Sequence, residues 1–155
     1  MLASAQLPLH AFAFEDLYIG QSESYRRTVS VSDVVGFAEL SGDRNPIHLS
    51  EHFAANTPFK SRIAHGLYTA SLISAVLGTR LPGPGAVYLS QTLKFLAPVH
   101  IDDVVDVSVE VMELIDGKNR ARLRCLCSVG EKDVLVGEAI VMVPSRSDME
   151  HEGSA

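Results

Sequence analysis

The sequence predicts an α+β fold in which a single antiparallel sheet wraps around one long central helix. Three observations predict it. From Gly66 to Thr79 no residue is charged and apolar side chains fall on every side, the pattern of a helix surrounded by its own protein. After that run come four strand-like segments, two of which (VDVSVEV and RARLRCLCSV) alternate cleanly between apolar and polar positions. Before it lies a strand, a shorter helix and a polar loop dense in groups that can do chemistry. Runs of helix and strand that segregate in this way suit an α+β layer arrangement rather than an alternating parallel one.

Taken in order, residues 1–15 read as an N-terminal arm, and residues 16–144 as the one domain that a chain of 155 residues calls for. Glu23 to Val31 reads as a strand. Ser32 is a good N-cap and Asp33 suits a first helical turn, so a helix is expected to start there, with Val34, Val35, Phe37, Ala38 and Leu40 as its buried stripe. Ser41-Gly42-Asp43 ends it. Arg44 to His48 follows as an ordered loop, because Asn45 precedes Pro46 and is biased away from helix. Ser50 caps a short helix over Glu51 to Ala55, and Thr57-Pro58 breaks it.

The central helix carries Gly66, Ala70, Ser74 and Gly78 every fourth residue, a face of small side chains that lets a neighbour approach closely. Leu81-Pro82-Gly83-Pro84-Gly85 ends it sharply. Ala86 to Ala97, Asp103 to Ile115, Arg120 to Val129 and Val134 to Val143 are the strand candidates, with hairpin turns at Ile115 to Lys118 and Val129 to Asp133. Residues 145–155 are polar and read as a disordered tail. An uncovered sheet edge invites a second copy, so a homodimer with a continuous sheet is expected.

Composition narrows the function classes. The net charge is −6, which argues against a nucleic-acid binder. It leaves room for an anionic ligand where basic residues cluster, and Lys60, Arg62 and Arg80 flank the apolar helix; a solvated rim explains them equally well. The first residues lack the basic start and cleavage site of a signal peptide. The longest uncharged stretch is shorter than the ~20 apolar residues that span a bilayer. No membrane association and a cytoplasmic location are expected. Cys125 and Cys127 lie two apart in a strand and share a face, as reduced core residues.

The candidate chemistry sits in two places. Asp43, Asn45 and His48 share a loop stiffened by Pro46, where a carboxylate and an imidazole can converge and exchange protons near neutral pH. These residue types are also ordinary turn formers. His65 and Gly66 open the central helix. The first N–H groups of a helix lack partners and favour negative charge, and Gly66 has no side chain to keep a ligand oxygen away. A packing glycine and a structural histidine are the plain alternative. The run His48-Leu49-Ser50-Glu51-His52 also spells a zinc-hydrolase pattern. Ser50 as a helix cap leaves His48 outside the helix and argues against it, so no metal is expected.

The runs DRNPIH (Asp43 to His48), IAHG (Ile63 to Gly66) and YLSQTLKFLAPVHIDD (Tyr88 to Asp103) together resemble the MaoC-like (R)-specific enoyl-CoA hydratases of the single hotdog-fold kind. The resemblance runs from about Ser32 to Val143. It implies a hotdog fold and reversible (R)-specific hydration of short to medium trans-2-enoyl-CoA, supplying precursors for polyhydroxyalkanoate from fatty acid oxidation. It implies Asp43 and His48 as the acid–base pair; which of the two takes the first proton is not legible in the sequence, and Asp43 as base with His48 as water positioner and proton donor is the expectation. It implies the Gly66 N–H as the thioester oxygen's partner. Asn45 orders the loop, Ser74 and Leu77 line the acyl tunnel, and His65 joins the substrate-binding residues. No cofactor is implied beyond the coenzyme A of the substrate. A 3-hydroxyacyl-carrier-protein dehydratase, a hotdog thioesterase and a non-catalytic acyl-CoA-binding subunit are the alternatives.

Overall fold

A computed structural model describes residues 7–152. A six-stranded antiparallel sheet runs in the order β1-β4-β5-β6-β2, with β3 paired to β6. Its strands are β1 (Ser22–Thr28), β2 (Val87–Gln91), β3 (Lys94–Phe95), β4 (Val104–Ile115), β5 (Arg120–Val129) and β6 (Lys132–Met142). The helices are α1 (Val31–Ser41), α2 (Pro46–Leu49), α3 (Glu51–Ala55), α4 (Gly66–Thr79) and α5 (Arg146–Glu152).

Strand alternation divides the sheet into a dry face and a charged one. Val105, Val107, Val109 and Val111 of β4, with Leu123, Cys125 and Cys127 of β5, are all but fully buried. Both cysteines are free, and burial pushes their thiols up to about 11 and about 12, so they behave as small core side chains. On the other face Arg122 bridges Glu113 and Glu138, and Arg124 meets Glu110, each at 3.0 Å.

The dry face receives α4, whose bounds match the charge-free run. Tyr68, Leu72, Ile73, Val76 and Leu77 are buried, each fully buried large side chain contributing about 1.5–3 kcal/mol. The helix is not buried all round, as its composition suggested. Gly66, Ser74 and Gly78 are exposed and Leu67 is 60% exposed. The sheet curls around one side of α4 only, and the small-residue face looks outward.

Several features differ from the sequence expectation. The first strand stops at Thr28, because Ser30 rather than Ser32 caps α1: Ser30 Oγ accepts the Asp33 N–H at 3.0 Å and Asp33 returns the bond to the Ser30 N–H at 3.1 Å. Of the expected α1 stripe, Val34 and Ala38 are buried, but Val35 and Leu40 are exposed. The stretch from Ala86 to Ala97 is not one strand; it bulges between Tyr88 and Ser90 and divides into β2 and β3. The polar tail is not disordered over its described part: α5 docks through Arg146, whose N–H donates to Glu15 at 3.0 Å and whose guanidinium pairs with Asp16. The arm is likewise tied down. His10, Phe12 and Phe14 donate N–H bonds to the carbonyls of Thr79, Pro82 and Pro144.

At the α4 amino end, Asp33 knits three elements together. Arg27 of β1 pairs with it at 2.7 Å and the Tyr68 hydroxyl of α4 donates to it at 3.0 Å. This fixes α1, and with it the loop that follows, against the start of the central helix.

Candidate active site

The loop is set locally by three residues. Gly42 ends α1 in the left-handed conformation at φ 82°, which a side chain disfavours. Asp43 Oδ1 accepts the Asn45 N–H, and Asn45 Oδ1 accepts the Ile47 N–H, each at 3.2 Å. Pro46 then occupies the first position of a helical turn. The expected loop over 44–48 is therefore a capped turn, α2, because a proline that cannot continue a helix suits its first position well. This turn carries His48 into the interior at 8% exposure, while Asp43 stays exposed beside it.

The segment just before α4 holds this loop at three points. His48 Nδ1 donates to the Ile63 carbonyl at 2.7 Å. Arg62 Nε donates to the His48 carbonyl at 2.6 Å, and His65 Nε2 to the Asp43 carbonyl at 2.9 Å. A carbonyl only accepts, so His48 carries its proton on Nδ1. Burial, aided by the neighbouring His65, lowers the His48 pKa against the opposing pull of the Ile63 carbonyl. The ring is then uncharged at neutral pH, with Nε2 bare.

Asp43, His48 and His65 each bring one side-chain donor atom within 4.8 Å of the others. The His48 and His65 rings are stacked, with centroids 3.8 Å apart and planes 28° from parallel. Stacked rings direct their in-plane lone pairs along separate parallel planes, a poor arrangement for ligating one ion. The zinc-hydrolase spacing fails as well: Ser50 separates α2 from α3, so His48 and His52 belong to different helices, and His52 is exposed.

Beside Asp43 and His48 opens a cavity of about 720 Å³. Asp43, His48, His65 and Gly66 line it, with Phe59, Leu67, Phe95 and Leu135 among its apolar walls. Gly66 is the first residue of α4, where backbone N–H groups lack helical partners. The site thus sets a carboxylate, an uncharged imidazole and a helix amino end along one largely apolar hollow.

The sequence profile of the MaoC-like domain matches residues 19–126. The chain belongs to the MaoC-like family. Among its relatives, the 3-hydroxybutyryl-CoA dehydratase of Methylorubrum extorquens is 67% identical over 90% of this chain and 89% of its own. The (R)-specific enoyl-CoA hydratase of Rhodospirillum rubrum is 52% identical over 94% and 99% of the two chains. Among solved structures, the (R)-hydratase from A. caviae involved in PHA biosynthesis superposes with a TM-score of 0.82 at 40% identity, over 84% of this chain and 99% of that one. The sheet wrapped on α4 is accordingly a hotdog fold.

Within this MaoC-like domain the sequence-derived candidates divide. Asp43, His48, His65 and Gly66 meet at the cavity. Asn45 does not line it and acts as a cap. Ser74 and Leu77 do not line it either. Leu77 is 2% exposed in the core, and Ser74 lies on the outward face of α4. Of the basic trio, Arg62 and Arg80 are not grouped as an anion site: Arg62 is spent on the His48 carbonyl, and Arg80 on Glu23 at 3.1 Å. Lys60 is exposed with φ 66°. Sequence reasoning missed Arg62 as a clamp and Phe95 as a wall. Only the position of Arg62 directly before the IAHG run offered a signal for either.

Proposed function

We propose that this protein hydrates trans-2-enoyl-CoA thioesters reversibly to (R)-3-hydroxyacyl-CoA, as a hydro-lyase. The observation that carries the reading is the bare Nε2 of a buried, uncharged His48, set with the Asp43 carboxylate beside the amino end of α4 on an apolar cavity. The names of the M. extorquens and R. rubrum relatives support both the thioester substrate and the reaction class. The four-carbon acyl group in the first name favours short chains. The A. caviae structure's link to PHA biosynthesis supports a role in supplying polyhydroxyalkanoate precursors.

Water held between Asp43 and His48 attacks the β-carbon while His48 Nε2 takes one of its protons. The double-bond electrons move toward the thioester, and the Gly66 N–H stabilises the negative charge on its oxygen. The imidazolium then returns a proton to the α-carbon on the same face. Asp43 orients the water and steadies the charged ring. This exchanges the roles first expected, because an imidazole whose proton sits on Nδ1 enters the reaction as an acceptor. No cofactor takes part beyond the substrate's own coenzyme A.

A homodimer belongs to the same proposal. The edge strand β2 exposes Val87, Tyr88 and Leu89, and the outward face of α4 exposes Leu67, both suited to a second copy. No helix among the described residues is long and apolar enough to cross a membrane. A cytoplasmic location is proposed in keeping with the two free, buried thiols.

The deciding experiment follows enoyl absorbance of crotonyl-CoA with purified protein, with chiral analysis of the product and a thiol reagent present. Loss of absorbance without thiol release, giving the (R)-alcohol, supports hydration. Thiol release with no (R)-alcohol formed overturns the reading in favour of a thioesterase. Binding without either change leaves an acyl-CoA-binding protein. Parallel assays with carrier-protein thioesters decide the carrier, and light scattering decides the dimer.

A further inference from the structure

We propose that His65 is a positioning residue for this reaction: a stacked platform for the His48 ring whose Nε2–H also anchors the main chain of Asp43. The inference rests on the hydratase reading and assigns His65 a role other than touching substrate.

The geometry is specific. His65 is 2% exposed, the most enclosed of the polar side chains at the site. One face of its ring meets His48 at 3.8 Å between centroids, and Phe37 of α1 packs against it at 4.8 Å, tilted by 53°. Its Nε2 donates to the Asp43 carbonyl at 2.9 Å, across 22 residues of sequence. A single ring therefore touches both members of the dyad without presenting either nitrogen to the reacting atoms. His65 is the residue that caps α4, yet its side chain makes no capping bond. Helix capping does not explain it.

Its other nitrogen, Nδ1, is buried without a partner. The bond to a carbonyl places the proton on Nε2, so Nδ1 is left as a bare lone pair, which costs less than an unpaired buried N–H. The two stacked rings are thereby opposite tautomers: His48 protonated on Nδ1, His65 on Nε2. This arrangement aims the lone pair of His48 away from its Ile63 contact and keeps its plane fixed. Since a misplacement of ~1 Å costs about 100-fold in rate, a ring that fixes the plane of the proton carrier has direct leverage on turnover.

The titratable groups around the pair are few. Asp43 comes from the loop, Arg62 holds the His48 carbonyl, and Glu51 of α3 lies 3.9 Å from Arg62. The strands contribute Phe95, Val134 and Leu135 to the same cavity, none of them titratable.

The first test needs no substitution. Nitrogen-15 NMR of the labelled full chain at neutral pH reads each imidazole tautomer. The expected spectrum has His48 as the Nδ1–H form and His65 as the Nε2–H form; the same tautomer for both rings overturns the proposal. The second test compares His65→Gln, which keeps an N–H for the Asp43 carbonyl but loses the ring, with His65→Phe, which keeps the ring but loses the N–H. Each is expected to lower kcat by about 10- to 100-fold with KM changed less than about twofold. In His65→Gln the His48 titration seen by NMR is expected to move upward toward that of an ordinary histidine. Unchanged kcat, or an unmoved His48 titration in a folded His65→Gln protein, overturns the role. Because tautomers and titration are read without substrate, they stand even if wild-type protein fails to hydrate enoyl-CoA, a result that would overturn the hydratase reading instead.

Discussion

The ring of Phe95 lies where a side chain on residue 66 would have to be. A Cβ built on Gly66 falls 2.7 Å from Phe95 Cε1 and 3.0 Å from its neighbours Cδ1 and Cζ. The strand that walls the cavity thus leans on the one bare residue that opens α4. Gly66→Ala is expected to lower turnover by about tenfold or more, since it displaces either the wall or the N–H proposed to serve the thioester oxygen. The paired variant Gly66→Ala/Phe95→Ala is expected to recover part of the loss. Steady-state kinetics on both decide it, and a double variant no better than the single one removes the steric explanation.

Asp43→Asn and His48→Gln are each expected to lower kcat by about 10²–10⁴-fold, the usual contribution of a positioned acid or base. Asp43 is exposed and its side chain supports only the Asn45 N–H, so its variant is expected to melt close to wild type. Calorimetry run beside the hydration assay separates lost chemistry from lost structure. Near-normal activity in folded Asp43→Asn protein would remove the carboxylate from the mechanism.

The acid limb of kcat/KM is expected below pH 6.5, the ordinary histidine value from which burial lowers His48. The same shift has a stability consequence. As pH falls from about 6.5 the unfolded chain takes up this proton before the folded one does, so the native state loses stability through that window and keeps all of it above. A pH series of kcat/KM and of denaturant midpoints checks both. An acid limb above 6.5 would exclude His48 as the titrating group.

Asp33→Asn is expected to destabilise the fold by about 2 kcal/mol, because it weakens a helix cap and leaves Arg27 without its charged partner. Burial raises the Asp33 pKa, but Arg27, the Ser30 N–H and the Tyr68 hydroxyl outweigh it and the net value is lowered. Its stabilising contribution is therefore full above the ordinary carboxylate range and fades as pH falls through and below that range. Urea unfolding at neutral and acid pH measures the difference, which should shrink in acid.

Some of this architecture is readable in the chain before any coordinates. The α4 bounds follow from an uncharged run entered at Gly66, and β5 from an alternation too regular for a helix. Asp43 and His48 are legible as candidates because they lie five residues apart on one loop, and Gly66 because it opens the charge-free run. What the sequence withholds is non-local or ambiguous. The stacking of His48 on His65 spans 17 positions and depends on how two segments pack. Pro46 serves equally as a helix stopper and a helix starter, which hid α2. Val35 and Leu40 look like core in a single helix, but α1 overhangs the sheet and leaves them uncovered. Leu77 reads as a lining residue by position, yet its rotation about α4 points it at the sheet.

The bond from the Phe14 N–H to the Pro144 carbonyl, 2.9 Å long, brings the chain's entry and exit to one edge of the hotdog. With Arg146 gripping Glu15 and Asp16 across the same seam, the fold closes like a clasp. A unit whose residues 14 and 144 meet in this way can be spliced whole into a longer polypeptide at that seam, or cyclically re-threaded through the Asp116–Asn119 turn, at positions that do not line the cavity.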